Sequence, residues 1–320
     1  MSTPDSLVIA SRGSRLARRQ AGIVSELLTA AHPGLKVEVA AVATAGDRDG
    51  RAFAAIGGRG LFVAEVEREV VEGRADVAVH SAKDLTSDLA AGCGIVCVPA
   101  RGPVADVVVG GRGASGEERL ATLRAGATVG TSSMRRALLI AQARPDVHSV
   151  ELRGNLDTRL DKVARGEVDV AILATAGLER LRTGASFAEL DPFSWIPAPA
   201  QGALAVEALT SRSEIVDLFA PLNDPQARAE VTCERAFAHR LEGGCSVPLG
   251  CLARPGAGGL VVTGWLGSPL TGQSIRDRIS GPPEDAAALG AELAEAMMDA
   301  GGDELLEDIR ATDAAEPSAP

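Results

Sequence analysis

Residues 76–85, DVAVHSAKDL, decide the fold. Val77, Ala78 and Val79 form a short apolar run behind the polar lead-in Gly73-Arg74-Ala75-Asp76. That is the pattern of a parallel strand buried on both faces. The chemistry then changes within a few residues to His80, Ser81, Lys83 and Asp84. In an open α/β sheet the carboxyl ends of the strands border the ligand crevice, so polar groups there are placed to meet a ligand. A cation beside a carboxylate can hold an anionic substrate and handle a developing positive charge. The same residues also suit a loop ion pair with a helix cap.

The stretch has an echo. GRADVAVHSAKDL, residues 73–85, aligns without gaps with GEVDVAILATAGL, residues 166–178. Strand–turn–helix units recur around Ser11 and Ser132. Two related α/β lobes facing each other are expected, with an organic-anion site and hinge closure between them. Chance convergence of two βα units is the alternative for so short an echo.

Working outward, residues 7–10 read as the first strand and 15–31 as a helix with apolar positions at Leu16, Ile23, Val24, Leu27 and Leu28. The turn between them holds Ser11, Arg12 and Ser14. Free N–H groups, the positive dipole end and Arg12 make a ready anion site, while Ser11 or Ser14 also suits a plain N-cap. A charged glycine-containing loop at 45–51 reads as a lid or as a solvated loop, and Gly57-Gly58-Arg59-Gly60 as a weak anion cradle. A second hydroxyl-rich turn, Thr131-Ser132-Ser133, precedes a helix that starts near Met134. Arg135 and Arg136 in its first turn oppose the helix dipole, a placement that makes sense if an anion binds there. Arg153 and Arg159 follow a short strand at 150–152; they face the same crevice or are ordinary surface arginines.

Pro-rich breaks at 99–103 and 195–200 read as two crossings between lobes, after which 201–207 supplies a strand returning to the first. A third region begins near Phe219. It holds a helix at 226–241, strands at 247–253, 260–266 and 273–280, and a covering helix at 285–300. The domain expectation is 1–100 with 199–220, then 101–198, then 221–311, ending in a disordered Pro/Ala-rich tail at 312–320.

Composition narrows the function. The chain has no Tyr, two Trp and six Phe, so base-stacking platforms are not expected. A net charge of −11 argues against a general nucleic-acid binder but leaves room for a local basic cleft. No apolar run is long enough to span a membrane. The N-terminal residues lack a basic segment followed by a long apolar one, so a cytoplasmic location is expected. Five cysteines, an odd count, argue against a disulfide framework, and neither their spacing nor the four scattered histidines suggests a metal. Cys245, in LEGGCSVPLG, follows paired glycines that permit a sharp turn. Its thiol suits a nucleophile, an attachment point or a buried structural cysteine.

Taken together, these blocks resemble the porphobilinogen deaminase (hydroxymethylbilane synthase) family. The matching segments are IASRGSRLA from Ile9, GGRGLFVAEVE from Gly57, ADVAVHSAKDL from Ala75, GTSSMRRALLIAQ from Gly130, LRGNLDTRLDKV from Leu152, ILATAGLERL from Ile172, PAPAQGALAVE from Pro197 and ERAFAHRLEGGCSVPLG from Glu234. The resemblance implies two periplasmic-binding-protein-like α/β lobes around a cleft plus a small α+β C-terminal domain. It implies a covalent dipyrromethane cofactor on Cys245 and porphobilinogen as substrate, with Asp84 as the catalytic carboxylate. Cofactor contacts are implied for Ser81, Lys83, Thr131, Ser132, Ser133, Arg135, Arg136 and Arg159. Substrate contacts are implied for Arg12, Ser14, Arg153, Arg180 and Gln201. A monomer is the family expectation; the absence of metal, nucleic-acid and membrane partners is expected from the composition above. Two positions depart from the family pattern: Thr86 where proline is usual after the carboxylate, and Ala200 where glycine commonly precedes the glutamine.

Overall fold

The computed structural model describes residues 4–42, 60–241, 247–307 and 309. The loop at 45–51, Gly57 to Arg59 of the glycine cluster, Cys245 and the tail at 312–320 lie outside the described residues. Two compact units emerge, one built on Met1–Gly102 with Ala203–Val231, the other on Pro103–Gly202 with Thr232–Pro317.

The first unit is built on a five-stranded sheet in the order β2-β1-β3-β10-β4. Its strands are β1 (Ser6–Arg12), β2 (Lys36–Val42), β3 (Val77–Ser81), β10 (Leu204–Leu209) and β4 (Cys93–Cys97). β1 pairs in parallel with β2 and β3, whereas β10 runs antiparallel to β3 and β4. Val77, Ala78 and Val79 are buried, because helices cover the strand and no face is left for water. Helix α1 (Arg15–Ala31) buries Gln20, Ala21, Val24 and Leu28. Leu27, read as part of that face, is exposed instead, since the i, i+4, i+8 row through Gln20 leaves it at the margin. Helix α2 (Gly60–Val71) packs on β1, β3 and β10.

The second unit repeats the plan. Its sheet runs β7-β6-β8-β5-β9, with β5 (Asp106–Gly110), β6 (Thr128–Thr131), β7 (His148–Glu151), β8 (Val170–Ala174) and β9 (Phe187–Glu189). β6 pairs in parallel with β7 and β8, and β5 is antiparallel to β8 and β9. Position by position this is the first sheet again, and the sequence echo falls on the two matching strands, β3 and β8. Helices α3 (Gly116–Ala121), α4 (Met134–Ala143), α5 (Leu156–Ala164) and α6 (Thr175–Leu181) belong to this sheet.

Helix α7 (Ser213–Phe219) is followed by α8 (Pro225–Arg240). The antiparallel sheet β11-β12-β13 (Leu249–Gly256, Gly259–Gly267, Ser274–Gly281) and helix α9 (Ala286–Met297) complete the second unit. Leu252 and Trp265 of this sheet share one apolar core with Val108, Val129, Ile140, Ile172, Trp195 and Ile196. Gly290 lets α9 lie on α8, where a Cβ would stand 2.1 Å from the Cys233 carbonyl oxygen. The short edge strands β4 and β9 and helix α7 carry too little periodicity to be read from sequence. β10 starts at Leu204 rather than Gln201, because residues 198–202 form a turn.

Candidate active site

In the first unit three chain segments meet around Ser81. Ser14 caps α1, its Oγ accepting the Ala17 N–H at 3.3 Å. One turn on, the buried Gln20 donates from Nε2 to Ser81 Oγ at 2.7 Å. Ala82–Asp84 form a single 3-10 turn after β3, fixed by Ala82 N–H donating to Ala203 O at 3.1 Å. That turn leaves Asp84 exposed, Lys83 half-buried and Arg12 half-buried at the end of β1. Gln20 was missed in the sequence because it sits within an otherwise apolar helical face.

In the second unit the hydroxyls of the α4 turn bond locally. Ser133 is the N-cap, with Oγ accepting the Arg136 N–H at 3.5 Å. Thr131 Oγ1 accepts the Ser133 N–H at 3.2 Å, and Ser132 Oγ donates to Leu152 O at 2.6 Å. Arg135 and Arg136 are both buried, and the anion facing them is internal: the fully buried Asp106. Arg135 donates to Asp106 Oδ2 at 2.7 Å and to Ile196 O at 2.7 Å. Arg136 donates to Asp106 Oδ1 from Nη2 at 2.6 Å and from Nε at 3.1 Å, and to Ile172 O at 3.1 Å. Gln201 Nε2 donates to the same Oδ1 at 2.9 Å and to Val104 O at 2.7 Å. Burial alone would raise the Asp106 pKa; the charges of Arg135 and Arg136, with hydrogen bonds from Arg136 and Gln201, instead hold it well below the usual carboxylate range. Asp106 explains the two arginines at a helix start. Its sequence signal was faint: a lone carboxylate opening the apolar run Val107-Val108-Val109, whose partners lie far along the chain.

Arg180 is different. Its Nη2 donates to Gly202 O at 2.6 Å, next to Gln201. Burial pushes its guanidinium down to about 10, with Glu179 opposing only in part. This is a cation set where an added carboxylate would be favourable. Arg153 donates to Glu151 at 2.8 Å and Arg159 to Gly154 O at 2.8 Å, both flanking the α5 N-cap Asn155. The structure therefore groups Arg135, Arg136, Arg180 and Gln201 around residues 196–202 of one unit, and Ser14, Ser81, Lys83 and Asp84 in the other. Among the described residues no His, Cys, Asp and Glu cluster could hold a metal ion.

Two family models match the chain in order: porphobilinogen deaminase, dipyromethane cofactor binding domain, over residues 7–217, and the porphobilinogen deaminase C-terminal domain over residues 228–299. The chain belongs to the porphobilinogen deaminase family. Among relatives, the porphobilinogen deaminase of Roseiflexus castenholzii is 45% identical over 304 residues, 94% of this chain and 99% of that protein. Those of Stenotrophomonas maltophilia and Maridesulfovibrio salexigens are 43% and 40% identical, covering 93% and 95% of this chain and 98% of each relative. Among solved structures, the Lactococcus lactis GlnP substrate binding domain 2 covers 69% of this chain and 89% of its own at 14% identity and a TM-score of 0.42.

The residues present suit the cofactor of this family. A dipyrromethane carries carboxylate side chains, and the second unit offers the half-buried Arg180 beside Gln201, an α4 N-terminus and its serine hydroxyls. Ala200, one of the two departures from the porphobilinogen deaminase pattern, has φ +60°, a left-handed conformation that glycine adopts without strain.

Proposed function

We propose that this chain condenses four porphobilinogen molecules head to tail, each with loss of ammonia, on a covalent dipyrromethane primer, and releases hydroxymethylbilane by hydrolysis for tetrapyrrole biosynthesis. The observation that carries the reading is the Asp84 turn: an exposed carboxylate beside Lys83 at the carboxyl end of a buried strand, in a chain of this family. Dipyrromethane supplies the pyrrole carbon that is elongated, and Cys245 is the thiol that holds it in this reading.

Asp84 protonates the departing amine of porphobilinogen, faces the cation left on the substrate carbon, and accepts the pyrrole proton once the new carbon–carbon bond has formed. An exposed carboxylate can exchange that proton with water between additions. Lys83, Ser81, Thr131, Ser132, Ser133, Arg135, Arg136 and Arg159 hold the primer's carboxylates and pyrrole nitrogens. Arg12, Ser14, Arg153, Arg180 and Gln201 hold the incoming substrate. Arginine suits this task because its planar fork binds a carboxylate through two hydrogen bonds. Each added unit brings further acidic side chains, which explains basic groups in a protein of net charge −11. The domains are read as 1–100 with 199–220, 101–198 and 221–311.

The reading includes a cytoplasmic monomer. The described cysteines Cys93, Cys97 and Cys233 are thiols outside any disulfide, as a reducing compartment keeps them. No helix among the described residues is long and apolar enough to cross a membrane. Replacing Asp84 by Asn tests the assignment. Porphobilinogen consumption is expected to fall by roughly two to four orders of magnitude; turnover near wild type contradicts the role given to Asp84.

A further inference from the structure

One row of α1 carries an amide where a core would take an apolar side chain. Gln20, Val24 and Leu28 follow one another at helical spacing and all three are buried, Gln20 at 4% exposure. A buried amide costs free energy unless its polar atoms are bonded. The bond here runs to the far side of the sheet connection: Gln20 Nε2 donates to Ser81 Oγ at 2.7 Å. Ser81 ends β3 and stands three residues before Asp84. It opens the 3-10 turn, yet its side chain makes no capping hydrogen bond to that turn.

The direction of that bond sets the chemistry of Ser81. A hydroxyl has one hydrogen and two lone pairs. Gln20 fills one lone pair, and among the described residues nothing accepts the hydrogen. Hydrogen bonds in a chain polarise one another, so a hydroxyl that accepts from Gln20 becomes a stronger donor and a weaker acceptor. Half-buried at the end of its strand, Ser81 therefore suits a group that only accepts. A carboxylate is such a group; a pyrrole N–H, itself a donor, is not.

We propose that Gln20 is a positioning residue that fixes the Ser81 hydroxyl as a donor to a carboxylate of the dipyrromethane primer. The proposal rests on the primer reading above and narrows it. Of the groups the primer offers, Ser81 takes an acid side chain and leaves the pyrrole nitrogens to other residues. Gln20 touches no ligand in this role, and losing its amide weakens primer binding only through Ser81.

The test is the rate at which the full chain, purified from cells that cannot make porphobilinogen, acquires the primer adduct on incubation with porphobilinogen, read by intact mass. Wild type, Gln20→Leu, Gln20→Glu, Ser81→Ala and the double variant of Gln20→Leu with Ser81→Ala are compared, with melting temperatures alongside. Leucine removes the donor that orients Ser81; glutamate, of the same shape, takes the Ser81 hydrogen for itself. Each is expected to load about tenfold more slowly, the loss of one charge-assisted hydrogen bond. Gln20→Leu is expected to add nothing to Ser81→Ala, because it acts through the hydroxyl already gone. Single effects that multiply in the double variant identify a merely structural glutamine and overturn the proposal. So does loading of Gln20→Leu at the wild-type rate, even with a lower melting temperature; if leucine does not fold, wild-type loading by Gln20→Glu decides alone. A wild type that loads beside either result confines the failure to Gln20. A wild-type chain that acquires no adduct overturns the primer reading and this proposal together.

Discussion

Ala200 holds φ +60° while its backbone N–H donates to Glu234 Oε2 at 2.6 Å. The other oxygen of that fully buried carboxylate accepts the Ala253 N–H at 2.8 Å. Glu234, on α8, thus ties the 196–202 turn to β11, and Cys251 N–H donates to Pro197 O alongside it at 3.0 Å. A left-handed alanine costs roughly 1 kcal/mol, which Ala200→Gly relieves less the added freedom of the unfolded chain. That variant is expected to gain about 0.5 kcal/mol in denaturant unfolding. Glu234→Ala strands two buried donors and is expected to lose about 3 kcal/mol. A neutral Glu234→Ala contradicts the tie.

Asp106 gives a second prediction. Its folded pKa is depressed, so the stability it contributes is fully present above the unfolded carboxylate value of 3.8 and is lost only as pH falls through the folded value. Asp106→Asn removes the anion between two buried guanidiniums and is expected to cost roughly 3–5 kcal/mol at neutral pH. The variant's stability is expected to decline less steeply on acidification than that of wild type. Unfolding followed at neutral and strongly acidic pH checks both; parallel acid limbs contradict the account.

Arg180 gives the opposite sign. Burial lowers its pKa, so its cation is a burden on the protein without a ligand anion. Arg180→Met is expected to leave the melting temperature unchanged or raised while KM for porphobilinogen rises about tenfold or more, the loss of one charge-assisted contact. Lost stability with an unchanged KM would identify a structural arginine instead.

Much of this architecture was legible in the sequence because it depends on local pattern. The echo between residues 73–85 and 166–178 falls on β3 and β8, which occupy the same place in two sheets of the same order. Ser14 and Ser133 were readable as caps because a hydroxyl before an amphipathic run has one local use. Asp106 and Glu234 were not readable. Their partners lie tens of residues away, and a buried carboxylate looks like a surface one until its neighbours are known. The paired arginines at 135 and 136 suggest a bound anion; that the fold sets the carboxylate of Asp106 on β5 against them depends on tertiary structure alone.

The central claim is a covalent dipyrromethane primer in a chain that consumes porphobilinogen. The most direct measurement is the intact mass of the purified protein, with peptide mapping across Cys245, before and after incubation with porphobilinogen. The account predicts a dipyrromethane adduct confined to the Cys245 peptide and absent from Cys245→Ser. A bare Cys245 thiol after incubation, with no porphobilinogen consumed, would contradict it.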